Sequence, residues 1–588
     1  MMMFARNLPC FRPLLSGILA AGLYLPAANA ASVDELTGRY LTQWSAFYPT
    51  RAFAEGSRDA AARFENYSVE HLAQWRELNR GIRDELEALP VPRNADARVD
   101  LQVLARQVER ELALWRDDRP LQNRPAWYAD QVTQALTYLL VSEGLSDAQK
   151  REAVLARLDG IRRLCEQGRR ELVSGNRLRG ESAIRSLDAS AVFFREALPA
   201  LLPPGDDATS RQALSDAARD TAEAVLALRR HIEHKVLPEA VDSPAMGEAR
   251  YTQLLHRRSD GRLSPRTLAD NALAEIELVR GLMVATARDW WRQDRGASAP
   301  VPADEALLAR ALSAMEDDRS DNPDAFLRQF SELTAAAERF VRRRQLATVP
   351  EPTTLYIASS PDHFAGAAVG GVYPAGPFAP QSNTLFYLPS IPGDASPGVA
   401  EGFYRSFNEH FNTMIISHEM FPGHYMQYKV AVTHAPAIRS IFADGAYVEG
   451  WGSFSEELML EAGWGDNAPL TWLAHYRKRL ENATRSYLSV MVHTRGWDAE
   501  RVSSFAVERG LLAPQFAVNL WQRVVNSPMQ LTDYFVGYHQ FKQLWREQRA
   551  LRGEDFDQRR LVDAILRAGP VPVPDLPPLL GANLIDQQ

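Results

Sequence analysis

Apolar residues recur at three- and four-residue spacing along nearly the whole of residues 33–344, and this repeat constrains the fold more than any other feature. It is clearest over 100–114, 149–172, 210–232 and 265–291, in segments rich in Ala, Leu, Arg and Glu. Breaks fall at Pro90-Val91-Pro92, at Leu202-Pro203-Pro204-Gly205-Asp206-Asp207 and around 296–302, where proline and glycine end helices. After Pro350 the character changes. Residues 353–359 and 383–388 are β-branched and aromatic and predict strands, with a Gly-, Ala- and Pro-rich loop over 366–380 between them. Helices resume at Gly402 and run almost to the end. The expectation is a mainly α protein with one small β element. Residues 31–345 form its helical N-terminal half and 346–588 its C-terminal half, within one large domain. The charged helix faces are expected to be solvated, where ion pairs add little stability.

The first thirty residues are set apart. Arg6 and Arg12 precede an apolar run over 14–25, and Ala28-Asn29-Ala30 offers a small-residue cleavage site. The run is short for a bilayer span, and Cys10 lies before it instead of after it. A cleavable signal peptide, cut after Ala30, is therefore expected, with no membrane or lipid anchor and a periplasmic or secreted product. Without that leader the chain has 64 basic and 74 acidic side chains, a net charge of −10. Such a balance argues against nucleic acid or anionic lipid as general partners. Cys165 would be the remaining cysteine, so no internal disulfide forms and stability rests on the core.

Eight of the twelve histidines lie between His363 and His539, which directs attention to the C-terminal half. There the segment His418-Glu419-Met420-Phe421-Pro422-Gly423-His424 carries chemistry. Two imidazoles and one carboxylate hold Zn²⁺ while leaving a position open for water, and a carboxylate beside the first histidine accepts that water's proton. Met414, Ile415 and Ile416 would bury the supporting helix. The spacing is unusual. Histidines four apart on a helix point about 40° from each other, whereas six apart leaves them about 120° apart. Pro422 removes a helical N–H and its ring clashes with the His418 carbonyl, and Gly423 tolerates unusual torsions. A single distorted metal helix is the expectation.

Glu449 follows His424 by 25 residues, inside a segment running from Tyr447 to Leu458 that predicts the next helix. Glu456 lies about two turns further on the same face. It is the alternative ligand, or an acceptor for the outer N–H of a ligating imidazole. Glu457 is expected to face solvent. His231 and His234 sit one turn apart, but no acidic partner follows at a familiar spacing.

These residues resemble the bacterial metallopeptidase-like family catalogued as DUF885, whose pattern is His-Glu-x-x-Pro-Gly-His followed by Glu-Gly-Trp. The matching residues are His418 to His424 and Glu449-Gly450-Trp451. Gly370-Gly371-Val372-Tyr373 with Leu385-Phe386-Tyr387, the stretch from Pro528 to Gly537, residues 553–556 and Gly569-Pro570-Val571-Pro572 resemble further family segments. Pro49 to Ala52 fits more loosely. The likeness covers nearly the whole mature chain and is strongest from Gly366 onward. The family in turn is similar to gluzincin peptidases with a deep cleft between two helical lobes, such as angiotensin-converting enzyme and the thermostable carboxypeptidases.

The resemblance implies His418, His424 and Glu449 as zinc ligands and Glu419 as general base. It implies strands bordering the cleft, where an edge pairs with an extended peptide. Tyr534 and His493 match a family tyrosine and histidine and are candidates for stabilising an oxyanion. Arg495 is a weaker candidate for a carboxylate clamp and is better read as a surface ion pair. The chain departs from the family pattern at Tyr425, at Ser489-Val490-Met491 and at Met529. The expected function is an exported zinc metallopeptidase acting on short peptides, with carboxypeptidase or dipeptidyl carboxypeptidase action by analogy with the resembling folds. The alternatives are a non-catalytic peptide-binding protein on the same scaffold and a zinc amidohydrolase acting on cell-wall fragments.

Overall fold

The structure is a computed structural model that describes residues 32–202, 208–259, 261–360, 371–391, 393 and 395–585. The expected leader, its cleavage point, most of the break at 202–207, His363 and the first third of the 366–380 loop lie outside the described residues. Helices dominate, and the sequence sets their ends. Pro265–Arg295 begins at Ser264, whose side chain accepts the Thr267 N–H, with Pro265 at the first helical position. It stops at Gly296, which has a φ of 89°. Val33–Phe47 and Asp147–Glu171 each open with a capping box, Ser32 with Glu35 and Ser146 with Gln149. Two of the expected breaks appear, between Ala88 and Ala95 and between Arg295 and Asp304.

The β element is one three-stranded sheet. β1 (Leu355–Ser359) pairs in parallel with β3 (Thr384–Leu388), and β2 (Gly371–Tyr373) joins the other side of β3 antiparallel. The order is β1-β3-β2, so β3 is central. β2 lies inside the stretch expected to be a loop. The largest hydrophobic cluster contains Leu36, Trp75 and Leu158 together with Phe386, Trp451 and Leu580, so one core spans both halves of the sequence. A second cluster joins Pro265–Arg295 to Pro469–Arg495 through Ile276, Met283 and Leu480.

Not every charged helix face is solvated. Arg157 is fully buried, donating from Nε to the Ala61 carbonyl at 2.8 Å and from Nη1 to the Ala135 carbonyl at 2.6 Å. Glu111 is also buried. Its carboxylate accepts from Tyr48 Oη at 2.7 Å, Trp75 Nε1 at 2.9 Å, Gln107 Nε2 at 3.0 Å and Trp115 Nε1 at 3.3 Å. Helical periodicity marks such positions as polar, and only the tertiary packing turns them inward.

Candidate metal centre

The motif does not form one bent helix. Glu409–Glu419 ends at the base candidate, four residues of irregular backbone follow, and His424–His434 begins at the second histidine. The expected distortion is a complete interruption. The Phe421–Pro422 peptide is cis. Gly423 is confined by contact, since a Cβ there would overlap the carbonyl of His418. Met414, Ile415 and Ile416 are buried as expected. Tyr425, at a position where the family pattern often has histidine, is buried, and its hydroxyl accepts the Thr354 N–H at 3.0 Å, tying the motif to the sheet.

Glu449 comes from the helix Gly445–Glu461, which starts at Asp444 with that side chain accepting the Tyr447 N–H. Nearly every face of this helix is buried. Two close approaches place it. A Cβ at Gly452 would lie 2.7 Å from the His418 ring, so the missing side chain makes room for the imidazole. Gly450 meets Gly537 of the helix Gln530–Arg552 backbone to backbone, where a Cβ on either would overlap the other helix. These contacts set Glu449 opposite both histidines.

His418 Nε2 and His424 Nε2 lie 3.7 Å and 3.6 Å from Glu449 Oε2. One donor atom from each of the three residues falls within 4.8 Å of the others. A tetrahedral ion with bonds of about 2.0–2.1 Å sets its ligand atoms roughly 3.4 Å apart, so this donor set fits zinc. The outer nitrogens are engaged elsewhere. His418 Nδ1 meets Glu456 Oε1 at 2.9 Å, and Glu456 Oε2 meets His475 Nδ1 at 2.9 Å. His424 Nδ1 lies 3.3 Å from Gln427 Oε1. Glu456 thus lies behind the His418 ring, on the nitrogen that faces away from Glu449, and bridges it to His475. Burial acts against the charge on His418, yet Glu449 and Glu456 push it up to about 10. Burial would raise both carboxyls, but the histidines hold Glu456 down to about 2 and Glu449 below the usual carboxylate range.

Glu419 is the last residue of its helix and is half-buried. The Tyr534 ring stacks over that of His418 at 6.3 Å and lies under the Arg485 guanidinium, and its hydroxyl accepts a hydrogen bond from Gln530 Nε2 at 3.1 Å. Burial and the Glu449 charge both raise the Tyr534 phenol, keeping it a proton donor. His493 is elsewhere. It is fully buried at the end of Pro469–Arg495, with Nε2 on the Val524 carbonyl at 2.9 Å and its ring against Tyr251. Arg495 makes an exposed ion pair with Glu248 at 3.5 Å. His231 Nε2 meets the Leu172 carbonyl at 2.8 Å.

Glu457 corrects its expected exposure. It is buried, accepting from Tyr538 Oη and from Lys542 Nζ at 2.6 Å. Three site residues escaped the sequence reading. Tyr428 lies against His424, near enough to Glu449 and Glu419 for their charges to raise its phenol after burial does, and its four-residue spacing from His424 was the available signal. Gln427 and His475 carried no such signal. Glu449 itself lines a cavity of about 1010 Å³, together with Tyr138, Tyr373, Gln530 and Asp533.

Fold and site together define a mainly helical protein with a His-His-Glu cluster whose glutamate lines a cavity. The chain matches over residues 49–580 the family described as "Bacterial protein of unknown function (DUF885)", and it belongs to that family. It is similar to a solved "putative lipoprotein of unknown function" from Shewanella oneidensis, with a TM-score of 0.76 and 20% identity over 93% of this chain and 99% of that one. A "putative lipoprotein" from Colwellia psychrerythraea has a TM-score of 0.75 and 17% identity, covering 94% of this chain and 100% of its own. At these identities the likeness establishes the fold. No curated protein matches the chain. Among the described residues no helix is long and apolar enough to cross a membrane.

Proposed function

We propose that this protein is an exported zinc-dependent peptidase acting on short peptides. One observation carries the reading: His418 Nε2 and His424 Nε2 converge on Glu449 Oε2 at 3.7 and 3.6 Å, with Glu419 next to the first histidine. His418, His424 and Glu449 would hold the ion, which when bound supplies Lewis acidity toward a carbonyl. Glu456 and Gln427 fix the imidazole planes so that both Nε2 atoms face inward. Glu419 takes the proton from the attacking water and returns it to the departing amine. Tyr534, held by Gln530 and Arg485, keeps its proton and donates a hydrogen bond to the carbonyl oxygen as charge develops there. The cavity beside Glu449 supports a short substrate, and the apolar leader ending in Ala28-Asn29-Ala30 supports export.

The test is metal content and hydrolysis of a short-peptide pool by the wild type and by Glu419→Gln. The variant should keep its zinc while turnover falls by roughly a thousandfold, the loss expected for a general base that also positions water. Full activity in Glu419→Gln would overturn the reading, as would failure of the wild type to bind metal at any zinc loading.

A further inference from the structure

We propose that the cavity beside Glu449 holds a carboxylate of the substrate on Arg110, flanked by Arg106 and Arg258. This deepens the peptidase reading and rests on it for the peptide nature of the ligand.

Arg110 lies in the last turn of the helix Ala95–Ala113 and lines the same cavity as Glu449. Its side chain is solvent-exposed yet surrounded by protein, as befits the wall of a wet cavity. The carboxylates around it are committed. Asp533 receives Arg258 Nη1 at 2.6 Å, and Asp575 faces Arg106 Nη1 at 3.2 Å. Asp444 caps the Gly445–Glu461 helix through the Tyr447 N–H at 2.9 Å, and Glu111 is filled by its four neutral donors. Among the described residues no carboxylate lies within ion-pair distance of Arg110. Burial and the charges of Arg258 and Arg106 lower its basicity, although Asp444 and Glu111 act the other way. Of the five guanidiniums lining the cavity, Arg106, Arg110 and Arg258 lie close enough to act on one another, and Arg110 among these three has no carboxylate at ion-pair distance, while Arg51 is set over the Tyr48 ring.

An incoming anion relieves that repulsion, and a guanidinium offers paired N–H donors matched to the two oxygens of a carboxylate. The cavity wall also carries Glu55, Glu111, Asp118, Asp444, Glu449 and Asp533, so a singly charged carboxylate meets less repulsion there than a doubly charged phosphate, even with Glu55 and Asp533 raised by burial. The distance is suitable. Arg258 Nη1 lies 2.6 Å from where a Cβ on Gly445 would stand. Glu449 follows one turn along the same helix, about 6 Å of rise, which is roughly two residues of extended peptide. A carboxylate on the Arg258 side of Arg110 would thus lie a short peptide's length from Glu449. Its source is either the peptide's C-terminus or an acidic side chain.

The experiment measures equilibrium binding of tri- to pentapeptides, as free acids and as C-terminal amides, with and without Asp or Glu. It uses the Glu419→Gln protein, zinc-loaded and metal-free, alone and combined with Arg110→Gln or Arg110→Lys. Thermal melts confirm that each variant is folded. Free acids should bind roughly tenfold more tightly than amides lacking acidic residues, the scale of one charged hydrogen-bonded contact. Arg110→Gln should erase that difference in both metal states and leave amide binding unchanged, while Arg110→Lys restores part of it. If acidic amides keep the Arg110-dependent gain, the carboxylate is a side chain's; if only free acids show it, the carboxylate is terminal. Equal binding of every acid and neutral amide would overturn the proposal. So would an Arg110→Gln loss shared equally by acids and amides, or no binding of any free acid. An acid preference without wild-type hydrolysis refutes the peptidase reading alone, and hydrolysis without an acid preference refutes this one alone.

Discussion

Glu111 and Glu456 are both buried glutamates on long helices, and their partners give them opposite uses. Glu111 is surrounded by two indoles, a phenol and an amide, all neutral donors. Its four bonds join Val69–Ala88, Ala95–Ala113, Trp115 and the segment around Tyr48, and none of those donors is an imidazole with a second ring nitrogen to offer. Glu456 instead holds two imidazoles by Nδ1, and the His418 Nε2 on the far side stays directed at Glu449. A buried carboxylate is thus a structural hub when its donors are used up by it, and part of a site when they are left with something to give.

Four measurements would break or sharpen that contrast. The largest effect belongs to Glu449→Ala, which should weaken zinc binding by about a thousandfold, since it removes the only anionic donor of the triad. Zinc titration of the metal-free protein reads this directly, and unchanged affinity would remove Glu449 from the site. Next is Glu111→Ala, which should destabilise the fold by about 3 kcal/mol by leaving several buried donors unpaired. Zinc affinity measured on the same protein should not move; a parallel loss would erase the distinction between the two glutamates. Glu456→Gln should weaken zinc by about 10–100-fold with a smaller change in melting temperature. A drop in stability as large as that of Glu111→Ala, with zinc affinity intact, would make Glu456 another hub.

The smallest effect is a pH slope. Burial pushes Glu55, on the wall of the same cavity, up to about 7. A carboxyl raised on folding contributes stability that is full below its unfolded pKa of about 4.3 and is lost as pH rises through about 7. The wild type should therefore lose about 1 kcal/mol between roughly pH 4.5 and 7.5 through this half-buried group, discounted for its contact with solvent. Denaturant melts of Glu55→Gln across that range should show a correspondingly flatter profile, and identical slopes would dismiss the assignment.

Much of this architecture is readable from the chain. Segments with a polar stripe, such as Asp147–Glu171 and Pro265–Arg295, announce themselves through periodicity, and proline pairs and caps mark their ends. The strands β1 and β3 show in their β-branched and aromatic composition. β2 does not, because three residues in a Gly- and Pro-rich stretch become a strand only when β3 is there to receive them. The two histidines and both glutamates stand at motif spacing, which is local information. The misplacement of Glu457 has a different origin. Gly445–Glu461 is enclosed on nearly every face, so periodicity cannot say which of its charges meets water. His493 sits at a matching position, but its burial against Val524 depends on helices distant in sequence. The helix interruption was half legible. Pro422 forecast a disturbance, whereas the contact of Gly423 with the His418 carbonyl, which closes the turn, exists only in three dimensions.

The meeting of Gly450 with Gly537 bears on the precision of the whole assembly. Glu449 is one residue before the first glycine and Tyr534 three before the second, so carboxylate and phenol both sit beside the one point where main chain meets main chain, while Glu457 with Tyr538 and Trp451 with Phe541 join the same helices further along. Side chains at such a joint could swap rotamers and let the helices slide; bare backbone has nothing to swap. A single methyl added at either glycine would therefore act as a shim, displacing the groups mounted on both helices at once.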